Sequence, residues 1–157
     1  NHILIRDIVS ATSPDIIINL AALTNVDLCE ERPDLAFSVN FAGLQNIVEI
    51  FNGPIIQLST DYVFDGSMAN PCSENDQTNP LNVYGQTKLA GDNHIIKHAQ
   101  KYAIFRLAWV YDDHGINFPR KILNAAKINS RINCHVPSPP RMRSNISFAD
   151  RFGCQCR

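Results

Sequence analysis

Glycine is scarce in this sequence, with 7 among 157 residues and none before Gly43. That excludes from the first 42 residues the glycine-rich turn on which many α/β proteins seat a pyrophosphate. Only a residue without Cβ lets consecutive backbone N–H groups come that close to the phosphates. Excess charge is also lacking: 14 Lys and Arg stand against 15 Asp and Glu, a formal net charge of -1. With 45% hydrophobic and 18% charged residues, the chain fits neither a disordered segment nor a strongly basic nucleic-acid binder. No apolar run approaches the roughly 20 residues of a membrane-crossing helix. The opening residues NHILIRD lack the basic head and long apolar stretch of a signal peptide. A cytoplasmic protein with no membrane and no nucleic-acid partner is the expectation. Cys29, Cys72, Cys134, Cys154 and Cys156 form no paired CxxC, so they read as free thiols rather than a zinc cage or disulfide framework.

The length suits one domain. Within it, the composition divides: residues 1–130 carry 9 basic and 14 acidic side chains, whereas 131–157 carry 5 and 1. The second stretch also holds Pro137, Pro139 and Pro140 and has no sustained helical period, so it reads as a divergent or disordered C-terminal segment. Before it the alternation is regular. Residues 15–22 (DIIINLAA) predict a strand buried on both faces, and Pro33 opens a helix whose Leu35, Ala36, Val39, Leu44, Ile47, Val48 and Phe51 recur at threes and fours until Asn52-Gly53-Pro54. Residues 55–60 (IIQLST) predict a second strand, 61–80 a loop, 84–101 a helix, 103–110 a third strand and 118–127 a last helix. Strands alternating with helices across short links predict an α/β fold, a parallel sheet with helices on both faces. Ligands in such sheets sit beyond the carboxyl ends of the strands.

Those ends carry chemistry. The second strand runs into Ser59, Thr60 and Asp61, and the following helix presents Tyr84 and Lys88, one turn apart on one face. A phenol with a pKa of about 10 is a poor acid near neutrality, and an ammonium beside it favours the phenolate and lowers that value. Such a tyrosine can protonate a carbonyl oxygen as hydride reaches the carbon, with Thr60 orienting the same oxygen. A YxxxK pair alone is weak, because a solvent-facing pair reads the same way. His94 and His98 are also one turn apart, but no third metal ligand accompanies them, so a solvated helix face is the reading, and no metal site is assigned. Glu30, Glu31, Asp112 and Asp113 read as surface charge.

Longer stretches are more specific. Residues 19–27 (NLAALTNVD), 58–66 (LSTDYVFDG), 80–91 (PLNVYGQTKLAG), 105–111 (FRLAWVY) and 115–118 (GINF) follow one another in order. Across residues 13 to 130 the chain resembles the dTDP-4-dehydrorhamnose reductase family, an extended branch of the short-chain dehydrogenase/reductase superfamily. The resemblance implies a partial Rossmann-type, NAD(P)-binding domain over residues 1–130, and reduction of the 4-keto group of a dTDP-4-keto-6-deoxy sugar by NADPH or NADH. It implies Tyr84 as proton donor, Lys88 as its partner and a ligand of the nicotinamide ribose, and Thr60 as the hydroxyl on the keto oxygen. It also sets Ala22, Leu23, Thr24 and Leu58 against the cofactor and Asp61 and Trp109 against the substrate. For Ala22, close helix-to-strand packing is an equal reading, as is a packed core position for Trp109. Mg2+ is associated with the family without an assignable ligand here, and a homodimer stays open.

The chain departs from the family at both ends. The glycine-rich turn is absent, Asn1 stands in place of an initiator Met, and Val136-Pro137-Ser138-Pro139-Pro140 is at best a faint echo of the family's later turn. A fragment lacking the first βαβ units is therefore expected, inactive by itself. Two other functions share the pattern. One is a non-catalytic regulatory subunit resembling the methionine adenosyltransferase β subunit; the other is a sugar-nucleotide epimerase or dehydratase.

Overall fold

A computed structural model describes residues 2–68, 70–108, 110, 120, 123, 124 and 127. Its elements in chain order are α1 (His2–Thr12), β1 (Ile17–Asn19), α2 (Val26–Glu31), α3 (Pro33–Phe37), a π-helical turn (Ser38–Ala42), α4 (Gly43–Ile50), β2 (Ile55–Thr60), a 3-10 turn (Asp61–Val63), α5 (Val83–His98) and β3 (Tyr102–Leu107). The three strands form one parallel sheet in the order β1-β2-β3. Parallel neighbours need crossovers, and the stretch from α2 to α4 supplies the first while α5 supplies the second.

Register decides what each face carries. Ile17 pairs with Ile55 and Asn19 with Gln57, while Gln57 pairs with Ile104 and Ser59 with Arg106. Because side chains alternate along a strand, these residues share one face. Helices α4 and α5 pack there: Leu44, Val48, Ile55 and Ile95 form the buried core, with Ile47, Phe51, Ala99, Tyr102 and Ile104 against it. A second cluster of Val63, Phe64 and Cys72 packs with Leu89 beneath the loop after β2. The polar members of the covered face are paired, as burial requires: Asn19 Nδ2 donates to Gln57 Oε1 at 2.7 Å.

The sheet, its parallel sense and the helical crossovers agree with the expected α/β architecture. The first strand is shorter than 15–22, because the Asn19 side chain turns back to accept the Ala21 N–H at 3.2 Å and the backbone leaves the sheet. It is also not buried on both faces: Ile16, Ile18 and Leu20 are 43%, 55% and 68% exposed. Among the described residues, the helices that build the core cover the face of Ile55 and Gln57. No helix among them is long and apolar enough to cross a membrane. Cys29 and Cys72 are buried free thiols. The expected segment 131–157 lies outside the described residues. Of the predicted helix 118–127, only Arg120, Leu123, Asn124 and Lys127 lie within them, all helical.

Candidate functional site

The carboxyl end of β2 and the first turns of α5 build the site. Thr60 leaves the strand in an extended conformation and caps the 3-10 turn, its Oγ1 accepting the Tyr62 N–H at 3.2 Å and donating to Asp61 Oδ1 at 3.1 Å. Both Thr60 and Asp61 are buried. Helix α5 starts at Asn82, whose Oδ1 accepts the Gly85 N–H at 2.7 Å, the satisfied-donor arrangement of an N-cap. The Val83 N–H is taken by Glu30 Oε1 of α2 at 2.7 Å, so a residue read as plain surface charge tethers the start of this helix. At Gly85 a Cβ would fall on the Tyr62 carbonyl oxygen, so only glycine lets the helix lie this close to the turn. The rings of Tyr62 and Tyr84 meet edge to face, 5.7 Å between centroids.

Lys88 follows one turn later. It is 2% exposed, and its Nζ donates to the Leu58 carbonyl oxygen at 2.6 Å. Burial pushes its pKa down and the carboxylate of Asp92 opposes that shift. Tyr84 does not behave as the spacing suggests. Its pKa stands above the ordinary tyrosine value, because burial outweighs the hydrogen-bonding effect of Thr60, while Asp61, Cys29 and Tyr62 push the same way as burial. Burial also raises the Asp61 carboxyl, against the lowering effect of the Thr60 hydroxyl and backbone N–H groups. Tyr84 is thus a protonated phenol at neutral pH.

One contributor escapes the sequence reading. Asn40, 1% exposed, sits in the π-helical turn, where its Oδ1 accepts the Leu23 N–H at 2.7 Å and its Nδ2 donates to the Leu23 carbonyl at 3.1 Å and to Thr87 Oγ1 at 3.0 Å. Thr87 in turn donates to the Tyr84 carbonyl oxygen at 2.8 Å. A single amide therefore fixes the loop of Ala22, Leu23 and Thr24 relative to the tyrosine helix. A buried asparagine inside an otherwise apolar helical stretch is the signal that could have revealed it.

The structure thus brings Thr60, Asp61, Tyr84, Lys88 and Leu58 together at one sheet edge and ties the Ala22–Thr24 loop to them through Asn40. Trp109 lies outside the described residues. The rings of His94 and His98 meet at 4.5 Å between centroids with their planes tilted by 35°, and Phe41 is edge-on to His94. Burial, then the His98 charge, lowers the His94 pKa.

A parallel sheet with helical crossovers and a hydroxyl, a phenol and an ammonium at the carboxyl edge of its middle strand define a partial Rossmann-type α/β protein. Residues 2–136 match the family described as the RmlD substrate binding domain, and the chain belongs to that family. It is 44% identical over 145 residues to a dTDP-4-dehydrorhamnose reductase of Sinorhizobium fredii, covering 90% of this chain and 45% of that protein. Among solved structures, a dTDP-4-dehydrorhamnose reductase of Clostridium acetobutylicum matches with a TM-score of 0.77 at 40% identity, over 82% of this chain and 46% of that one. The Bacillus anthracis dTDP-4-dehydrorhamnose reductase in complex with NADP matches with a TM-score of 0.78 at 32% identity, over 82% and 47%. The chain spans under half the length of these relatives.

Two outcomes are expected from this geometry. Gly85→Ala should push α5 off the 3-10 turn and cost about 1–3 kcal/mol of stability in the full-length protein. Denaturant unfolding checks it, and an unchanged midpoint would contradict the close approach. The second concerns Asp65, whose pKa falls to about 2 through the Ser67 hydroxyl, the Asn79 amide and the Ser67 N–H. Its folded value is lower than its unfolded one, so the clasp on loop 65–79 is complete above the ordinary aspartate range and is lost as pH falls through about 2. Protease cleavage within 65–79, compared with an Asp65→Ala variant at neutral pH, reads it directly. The variant should be cut faster, and equal rates would refute the clasp.

Proposed function

We propose that the protein carrying this chain is an NAD(P)H-dependent reductase that converts the 4-keto group of a dTDP-4-keto-6-deoxy sugar to an alcohol, with Thr60, Tyr84 and Lys88 as its catalytic group. The supporting observation is the Lys88 ammonium held against the Leu58 carbonyl one helical turn from a half-buried, protonated Tyr84. The names of the relatives agree with the substrate class.

The residues present fit the nicotinamide end of a dinucleotide. Lys88 has three N–H donors, of which one goes to Leu58, and the other two suit ribose hydroxyls, as does the Tyr84 hydroxyl. Ala22, Leu23, Thr24 and Leu58 would form the wall beside it, with the Leu23 backbone already immobilised by Asn40. A bound reduced nicotinamide supplies the hydride for the keto carbon. Thr60 turns its hydroxyl from Asp61 to the keto oxygen and orients it. Tyr84 gives its proton to that oxygen as charge develops there. Lys88 then stabilises the phenolate left behind, which is why it must be an ammonium during turnover. Asp61 and Trp109 are assigned to the sugar side, where a carboxylate can accept from hydroxyls and an indole can cover a sugar face.

The full-length protein should oxidise NADPH only when a dTDP-4-keto-6-deoxy sugar is present. An epimerase or dehydratase would show no net consumption of the reduced cofactor, and a non-catalytic subunit would show none under any condition. Tyr84→Phe should lower kcat by about 10²- to 10⁴-fold with a smaller effect on KM. Unchanged turnover in that variant would refute the proton donor.

A further inference from the structure

Asp92 is fully buried, and it lies on α5 one turn beyond Lys88. A carboxylate in such a place is unfavourable unless it is paired, and its partners come from two strands. The Ser59 hydroxyl donates to Asp92 Oδ2 at 2.6 Å, and Arg106 Nε stands 3.7 Å from the same oxygen. Ser59 and Arg106 are register partners on β2 and β3, so the helix carboxylate rests on a cross-strand pair. Arg106 is itself placed by the loop after β2: its guanidinium lies 5.3 Å from the Phe64 ring centroid, and Nη1 donates to the Glu74 carbonyl at 3.3 Å.

Three consecutive residues of β2 thus serve three different tasks. The Leu58 carbonyl takes the Lys88 ammonium, the Ser59 hydroxyl donates to the Asp92 carboxylate and the Thr60 hydroxyl donates to Asp61. Asp92 is the buried carboxylate whose charge acts on Lys88, against the effect of burial. Its own charged neighbours are Arg106 and Lys88, with Ser59 as hydrogen-bond donor. Burial pushes the Asp92 carboxyl up from its ordinary value, and the Ser59 hydroxyl, the Arg106 guanidinium and the Lys88 ammonium draw it back toward the charged form; among the described residues nothing donates to its Oδ1. The titratable groups that act on Tyr84 are different ones, the Asp61 carboxyl, the Cys29 thiol and the Tyr62 phenol.

We infer that Asp92 is a positioning residue of the reductase site, the buried counter-charge that keeps Lys88 an ammonium aimed at the Leu58 carbonyl, with Ser59 and Arg106 holding the carboxylate in place. The inference rests on the assignment of Thr60, Tyr84 and Lys88 as the catalytic group. Its chemical consequence is direct: without the Asp92 charge, Lys88 gives up its proton at lower pH, and a neutral amine no longer stabilises the Tyr84 phenolate.

The test compares the full-length wild-type protein with Asp92→Asn, Asp92→Glu and Ser59→Ala. Asp92→Asn should move the alkaline limb of the kcat profile down by about one pH unit or more and lower kcat at mildly alkaline pH by roughly 10-fold, with KM for the sugar nearly unchanged. Asp92→Glu should restore much of the limb, and Ser59→Ala should shift it less, in the same direction. Titration of Lys88 by NMR of [13Cε]lysine should show its midpoint falling in Asp92→Asn. A folded Asp92→Asn variant with wild-type limb and wild-type Lys88 midpoint overturns the inference. Should Asp92→Asn not fold, an unshifted limb and Lys88 midpoint in Ser59→Ala overturn it instead. If the wild-type protein reduces no dTDP-4-keto sugar, it is the proposed function that fails, and the Lys88 titration still decides whether Asp92 is its counter-charge.

Discussion

The Lys88 ammonium is almost sealed from water, and the 2.6 Å hydrogen bond to the Leu58 carbonyl ties α5 to the end of β2. Burying a cation this way is unfavourable by itself, and the surrounding structure is arranged to offset it. Close approach comes first: Gly85 lets the helix touch the Tyr62 backbone, and Gly91 leaves room for Leu44 and the Asn40 carbonyl. Compensation comes second, from the Asp92 carboxylate seated on the Ser59 and Arg106 pair. The phenol of Tyr84 and the hydroxyl of Thr60 are then placed by the same contact, since one sits a turn before Lys88 and the other two residues after Leu58.

Sequence reading reached β2, β3 and α5 because each has a local signature. IIQLST is a β-branched apolar run and AIFRL a largely apolar one, while α5 spans Val83–His98 against the expected 84–101, its start fixed by the Asn82 cap. It assigns nothing to α1, and the structure shows why. Ile3, Leu4 and Ile8 are 60%, 57% and 53% exposed, so the apolar residues of that helix do not mark a buried face. The six residues of α2 are too few for a period to register. The stretch opened by Pro33 is helical to Ile50 but passes through a π-helical turn, and the extra residue there is what places Asn40 toward Leu23 and Thr87.

The candidate site was legible as a set of residues, less so as a set of charges. Thr60 acts on Tyr84 through a hydrogen bond, and Lys88 follows one turn later on α5 with its ammonium on the Leu58 carbonyl. The direction of the Tyr84 shift does not follow from spacing, because desolvation depends on how much protein surrounds a group rather than on which residue lies one turn away. Glu30 and Asp92 were invisible for a related reason: a carboxylate in sequence looks like surface, and only the fold shows one tethering a helix start and the other resting on two strands.

The central claim is that this site delivers hydride and proton across a keto group. Turnover of the full-length protein with NADPH deuterated at either face of nicotinamide C4, followed by mass spectrometry of the sugar nucleotide, tests it most directly. One of the two cofactors should yield an alcohol product carrying a single deuterium at sugar C4, and the other an unlabelled product. Unlabelled product from both, or no product with either, would contradict the account.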